Sequence, residues 1–291
     1  MAKFLWTQRS DFGPSPRAGH AMTFDSKRGR TVLFGGVGAG GALFGDTWEW
    51  DGSFWTQMDN IGPAPRQNHA MVYDSTRQVS ILFGGISAAD LGDTWQWDGQ
   101  DWTQVADSGP LARNSHAMAF DTGRDRTVLF GGLGPPRDGG FGSRLLDTWE
   151  FDGQNWTQQP ATGPRAGGGH VMAFSSTGAR VLLFDGFEVK TWAWSGNSWV
   201  QIAEFGPPSR DSTAMTAAAN SIVLFGGGKP QTFLSDSWSF DGKHWTQVQN
   251  IGPVPRVSHA LTFDSKRGAV VLFGGTGANA APLGDTWEHT N

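Results

Sequence analysis

This sequence predicts an all-β fold, a closed six-bladed β-propeller whose blades are four-stranded antiparallel sheets. Three observations predict it. One segment recurs six times at near-constant spacing, each copy divides into four short strand-like runs, and the run missing from the last copy stands at the N-terminus.

The recurrence is plainest in PSPRAGHAMTFDSKRGRTVLFGG, which returns as PAPRQNHAMVYDSTRQVSILFGG and as PVPRVSHALTFDSKRGAVVLFGG. Each copy is anchored by an arginine: Arg17, Arg66, Arg113, Arg165, Arg210 and Arg256, spaced 49, 47, 52, 45 and 46 residues apart. A period of this length is that of one propeller blade, so residues 1–291 form a single domain.

Within the first copy the four strands read GHAMTFD (19–25), RTVLFGG (30–36), DTWEWDG (46–52) and FWTQM (54–58). Short runs rich in β-branched and aromatic residues, cut by Gly, Asp and Pro, form antiparallel sheet. The Asp-Gly pairs at 51–52, 98–99, 152–153 and 241–242 supply the turn chemistry of a tight hairpin between the third and fourth strands, with Ser195-Gly196 in the fourth copy. The last copy stops at DTWEHTN, after its third strand, and the missing WTQ run lies at Trp6-Thr7-Gln8. Residues 4–8 are therefore expected to complete blade 6, closing the ring and covering its open sheet edge.

A net charge of -5 argues against a sequence-independent grip on nucleic acid. No apolar run is long enough to span a membrane. The absence of cysteine excludes disulfides, thiolate metal sites and a cysteine nucleophile. The N-terminal MAKFLWTQ lacks a signal-peptide core, which gives a cytoplasmic expectation if Met1 is the native start and a secreted one if a leader has been removed.

The doubled glycines at 35–36, 84–85, 131–132, 226–227 and 274–275, each followed by an aromatic-rich strand and a tryptophan, resemble the Kelch repeat over nearly the whole chain. Kelch propellers include partner-binding modules, a copper radical oxidase, a sialic acid mutarotase and plant specifier proteins. The copper chemistry needs a cysteine cross-linked to tyrosine, and this chain has no cysteine and a single tyrosine, Tyr73. The iron-binding pattern of the specifier proteins is missing too, so no metal or other cofactor is expected.

All 15 tryptophans occupy repeated slots: six at the DTW position, six at the WTQ position, and Trp50, Trp97 and Trp194 two residues after the DTW position. That distribution suits packing between blades rather than a ligand cage. His20, His69, His116, His170 and His259 each follow an anchor arginine, and a ring arrangement keeps them from converging as metal ligands; a hydrogen bond inside each blade, to the Asp or Thr of DTW, is the expected role.

The anchor arginines are either structural ties or a cationic ring for an acidic ligand. In Kelch modules that capture acidic peptides, arginine and a polar residue two positions on face the ligand, and Asn68, Ser115, Ser212 and Ser258 fit loosely, with Gly19 and Gly167 in the same slot. Specificity is expected where the repeat departs from its pattern. The loop between second and third strands in the third copy is the longest and carries Arg137, Asp138 and Arg144; that of the fourth is only residues 187–189, flanked by Asp185 in place of a glycine and Lys190 in place of the DTW aspartate. These loops and the anchor arginines lie at the same end of the strands and define one working face.

Two functions follow. One is a binding module holding a small-molecule ligand or protein partner on that face, without nucleic acid or membrane. The other is a cofactor-independent enzyme of lyase, isomerase, cyclase or hydrolase type, with Asp185 and Glu188 as acid–base groups assisted by His170 or Arg165.

Overall fold

The computed structural model describes residues 5–58, 61–136, 142–161, 163–165, 169–248 and 251–290. Six four-stranded antiparallel sheets form the blades. Blade 1 runs, from the central channel outward, through Ala21–Asp25, Arg30–Phe34, Thr47–Trp50 and Trp55–Gln57. Blades 2 to 5 repeat this order, starting at Ala70–Asp74, Ala117–Asp121, Val171–Ser175 and Ala214–Ala217. Blade 6 takes Ala260–Asp264, Ala269–Phe273 and Thr286–Thr290 from the C-terminal end. Its fourth strand is Trp6–Ser10, paired antiparallel to Thr286–Thr290 with Trp6 opposite His289. The ring thus closes through the N-terminal strand.

The strands end where their residues make them end. Asp25 begins a turn in which its carboxylate accepts the Arg28 N–H at 2.9 Å, and Gly29, at φ 70°, returns its N–H to the Asp25 carbonyl. At the other end, Gly35 lies so close to blade 2 that a Cβ there would sit 2.7 Å from the Arg66 carbonyl oxygen. A side chain at this slot would push two blades apart, which is the reason for glycine.

The second strand of each blade is sandwiched on both faces, so Val32, Leu33 and Phe34 are fully buried and the run is continuously apolar. Aromatic rings fill the wedges between blades. The WTQ-type indoles donate across each junction to the DTW-type hydroxyl of the preceding blade: Trp55 to Thr286, Trp102 to Thr47, Trp156 to Thr94, Trp199 to Thr148, Trp245 to Thr191, and Trp6 to Ser237. The last of these bonds the N-terminal strand to blade 5, so closure is made by packing as well as by the sheet ladder.

The three remaining tryptophans are matched to buried carboxylates. Trp50, Trp97 and Trp194 donate to Glu288, Glu49 and Glu150 of the preceding blade. Where that blade offers Gln96 or Ala193 instead, the slot holds Phe151 or Phe240, which needs no acceptor. Among the described residues no helix is long and apolar enough to cross a membrane.

Candidate functional site

Five anchor arginines are structural. Arg17, Arg66, Arg113, Arg210 and Arg256 are buried and form two-pronged ion pairs with Asp46, Asp93, Asp147, Asp236 and Asp285. Each also donates to the carbonyl of the first glycine of its pair, as Arg17 does to Gly35 at 2.9 Å. Burial alone would raise the Asp46 carboxyl, but the hydrogen bonds and charge of Arg17 and the Trp48 indole N–H hold it below its ordinary value; the other four aspartates behave alike. The expectation of a cationic ring facing a ligand is corrected for these five: their guanidinium groups are buried, with four of the five N–H donors bonded within the blade.

Blade 4 lacks the clamp. Its arginine, Arg165, is exposed, and the aspartate slot holds Lys190. The cause is legible in spacing: Arg17 precedes His20 by three residues, whereas Arg165 precedes His170 by five. The residue before each histidine adopts positive φ, and in blade 4 that residue is Gly169, at φ 72°. Gly167, expected in this slot, lies outside the described residues. With no aspartate beside it, the Trp192 indole N–H is buried without a partner, whereas Trp48, Trp95, Trp149, Trp238 and Trp287 all donate to theirs.

The polar slot residues do come together. Gly19, Asn68, Ser115, Gly169, Ser212 and Ser258 line a cavity of about 210 Å³ at the channel mouth on the anchor face. Their backbones form a head-to-tail chain around it: Asn68 N–H to Gly19, Ser115 to Asn68, Gly19 to Ser258, and Ser258 to Ser212, at 2.7–2.9 Å. Asn68, Ser115, Ser212 and Ser258 sit at φ 50–55°, which explains why small polar residues and glycine share this position. Below it lie the histidines, bonded differently from expectation. Each faces the phenylalanine of the preceding blade, His20 against Phe273 and His69 against Phe34, rather than the Asp or Thr of its own blade. Only His170 makes a regular bond, Nε2 to the Phe130 carbonyl at 3.0 Å. Burial first, and a nearby arginine second, push His20, His69 and His259 down to about 3.

The proposed acid–base groups are not assembled as an exposed set. Asp185 is fully buried beneath the turn it begins, with Oδ1 accepting the N–H groups of Phe187 at 2.9 Å and Glu188 at 3.4 Å and Oδ2 unpartnered. His170 is buried, and Glu188 is tied to Lys190 at 2.9 Å. In five other blades a Cβ at the slot of Asp185 would lie 2.9–3.1 Å from the next blade's histidine Cε1. The one carboxylate in that slot coincides with the one blade, the fifth, where Thr213 replaces the histidine. Asp185 and Thr213 are a matched pair of departures from the repeat.

On the surface, the four-residue turn between Asp185 and Lys190 is flanked by two ribbons. Blade 3 contributes Leu133–Pro136 with Gly142–Arg144, and blade 5 contributes Gly228–Lys229 with Thr232–Phe233. Blade 4 is thus the low sector of the face, with Phe187 exposed at its centre. Arg137 and Asp138 lie outside the described residues. Arg144 is exposed and joins Arg165 and Lys229 as solvent-facing cations without an ion pair among the described residues. Glu204 and Asp211 stand beside them. Over blades 6, 1 and 2 the same face presents Asp11, Asp90 and Asp107, and the nearest cation, Arg9 on the outer strand of blade 6, is held by Glu288 at 2.9 Å. Lys229 was missed from sequence; its signal is that, among the described residues, the exposed cations without an ion pair at this end belong to blades 3 to 5. Among the described residues no group of three or more His, Asp or Glu side chains has the placement to hold a metal ion.

Residues 2–186 match the family model of the KLHDC2/KLHL20/DRC7 Kelch-repeats domain. The solved structure described as "Structure of YjhT" superposes with a TM-score of 0.75 over 96% of each chain at 14% identity, a likeness of fold. Comparison with curated proteins gives no match. A match over more than half the chain, a six-bladed ring and a Kelch-type glycine pair in five blades lead to one statement: the chain belongs to the Kelch-repeat family of β-propellers.

Proposed function

We propose that this propeller is a binding module that holds an anionic ligand, or an acidic stretch of a protein partner, over blade 4 on the anchor face. Kelch propellers commonly mediate binding, and the observation that supports this site is the segregation of unpaired cations. Five arginines are spent inside the fold, while Arg144, Arg165 and Lys229 have no ion pair among the described residues and lie in one sector of three adjacent blades. An excess of cations over part of a face, here three beside the carboxylates of Glu204 and Asp211, steers an oppositely charged partner. The low turn at 185–190 leaves room between the two ribbons for a segment of chain. The enzymatic alternative has less support, because Asp185 has no access to solvent, His170 is almost wholly buried at the floor of the mouth cavity, and Glu188 is paired with Lys190.

The test is fluorescence anisotropy with a fluorescein-labelled hexaglutamate peptide at low salt. Wild type is expected to bind, with affinity falling as salt rises. The triple variant R144S/R165S/K229S is expected to bind at least about tenfold more weakly, roughly 1.4 kcal/mol, and K27S/K266S, at the opposite end of the ring, as wild type. Equal binding by the triple variant, or none by wild type, contradicts the proposal.

A further inference from the structure

The repeat breaks a second time, far from blade 4. The linker entering each blade carries the pattern xGP, and its first residue is Phe12, Ile61, Ser108, Thr162, Phe205 or Ile251. The hairpin before each WTQ strand carries its own variable residue: Phe54, Asp101, Asn155, Ser198 or His244. Aromatic residues occupy both positions at only two junctions, Phe12 with Phe54 between blades 6 and 1, and Phe205 with His244 between blades 4 and 5. Each pair lines a groove on the outer wall of the ring, of about 780 Å³ at the first junction and about 500 Å³ at the second.

The larger groove has the makings of a ligand site. Phe12 and Phe54 are 88% and 74% exposed; the linker slot of Phe12 is apolar and exposed also at Ile61, Phe205 and Ile251, but the hairpin slot of Phe54 carries Asp, Asn, Ser or His in the other blades, so the two aromatic rings meet on one open surface here. Trp48 and Trp55 are half-buried in its lining, and Gln8, Arg9, Asp11 and Ser53 add donors and acceptors. The volume falls within the range of small-ligand sites.

We infer that this groove binds a saccharide. A pyranose ring has an apolar C–H face that stacks on aromatic side chains and a hydroxyl rim that needs nearby polar groups, and the groove supplies both. It is open to water, which suits a ligand that stays partly hydrated and not one that is wholly apolar. A polyproline segment is the other usual occupant of an aromatic groove, but it relies on outward-pointing indole N–H donors. Here both indoles are committed inward, Trp48 to Asp46 at 2.7 Å and Trp55 to Thr286 at 2.8 Å. The inference is independent of the anionic site, since no residue is shared.

Isothermal titration calorimetry with soluble cello-, malto-, xylo- and mannohexaose tests it, with a decaproline peptide alongside. At least one hexasaccharide is expected to bind wild type, and F12S/F54S to weaken it at least tenfold. Both side chains are solvent-exposed, so circular dichroism of this variant should be unchanged. F205S/H244S should retain the stronger site, and R144S/R165S/K229S should bind sugar as wild type. The inference is overturned if no hexasaccharide binds, if F12S/F54S binds as wild type, or if decaproline binds in place of the sugars.

Discussion

Acidification should open this ring from its centre outward. His20, His69 and His259 are buried, and burial together with a neighbouring arginine lowers each to about 3, against an ordinary value of 6.5. In the fold they stay neutral; in the unfolded chain they take up a proton below pH 6.5. Their contribution is therefore fully present above pH 6.5 and is lost as pH falls from there toward 3. At pH 5 the loss is about 2 kcal/mol for each, or about 6 kcal/mol for the three. That is comparable with the whole stability of an ordinary domain, about 5–15 kcal/mol. His116 and His170 shift in the same direction and add to it. The clamp aspartates, held below 3.8 by their arginines, lose their share only at lower pH. Urea denaturation followed by tryptophan fluorescence from pH 7.5 to 4.5 should show a steep fall beginning near pH 6.5. The variant H69T, which copies what blade 5 does with Thr213, should fall less steeply although it starts lower. Stability flat between pH 7 and 5, or assigned imidazole NMR signals of His20, His69 and His259 titrating near 6.5 in the folded protein, would refute the buried-neutral account.

Three other outcomes follow from particular contacts. Replacing Asp93 by asparagine leaves the buried Arg66 guanidinium half-paired and should cost about 3 kcal/mol or more in chemical denaturation, whereas R165A, at the unclamped position, should be silent. Deleting residues 1–10 removes the outer strand of blade 6 and the Trp6 bond to Ser237, so calorimetry should show a much lower melting temperature or loss of a single cooperative transition. W245A should cost about 3–5 kcal/mol, through the lost aromatic packing against Phe184 and Phe240 and the Thr191 hydroxyl left without its donor.

The fold was legible because a propeller writes its architecture into a period, and even ring closure could be read from the stray Trp6-Thr7-Gln8. The packing role of the tryptophans was equally readable, since a residue present in every copy cannot specify one ligand. The arginines were harder. Periodicity says that Arg17 and its counterparts matter structurally or functionally, but only geometry shows each one chelated by the aspartate of DTW, 26 to 34 residues further along the chain. The same pairing was available in outline, because the blade with Lys190 for aspartate is also the blade whose arginine has slipped two residues from its histidine. Asp185 misled for a local reason: a carboxylate that starts a tight turn has the same sequence signature as one that faces a substrate. The mouth residues Asn68, Ser115, Ser212 and Ser258 were found for their polarity, yet their common cause is the left-handed backbone they adopt.

The central claim is that partners meet the anchor face over blade 4, and the natural absence of cysteine allows a clean test. Two single-cysteine variants, F187C at the centre of the low sector and K27C on the turns at the opposite end, can each carry a benzophenone maleimide. Both are irradiated with the biotinylated hexaglutamate peptide, and cross-linked product is measured by mass spectrometry. The account predicts strong cross-linking from position 187 that R144S/R165S/K229S abolishes, with little from position 27. Cross-linking from position 27 with none from position 187 would place the working surface at the other end of the propeller and contradict it.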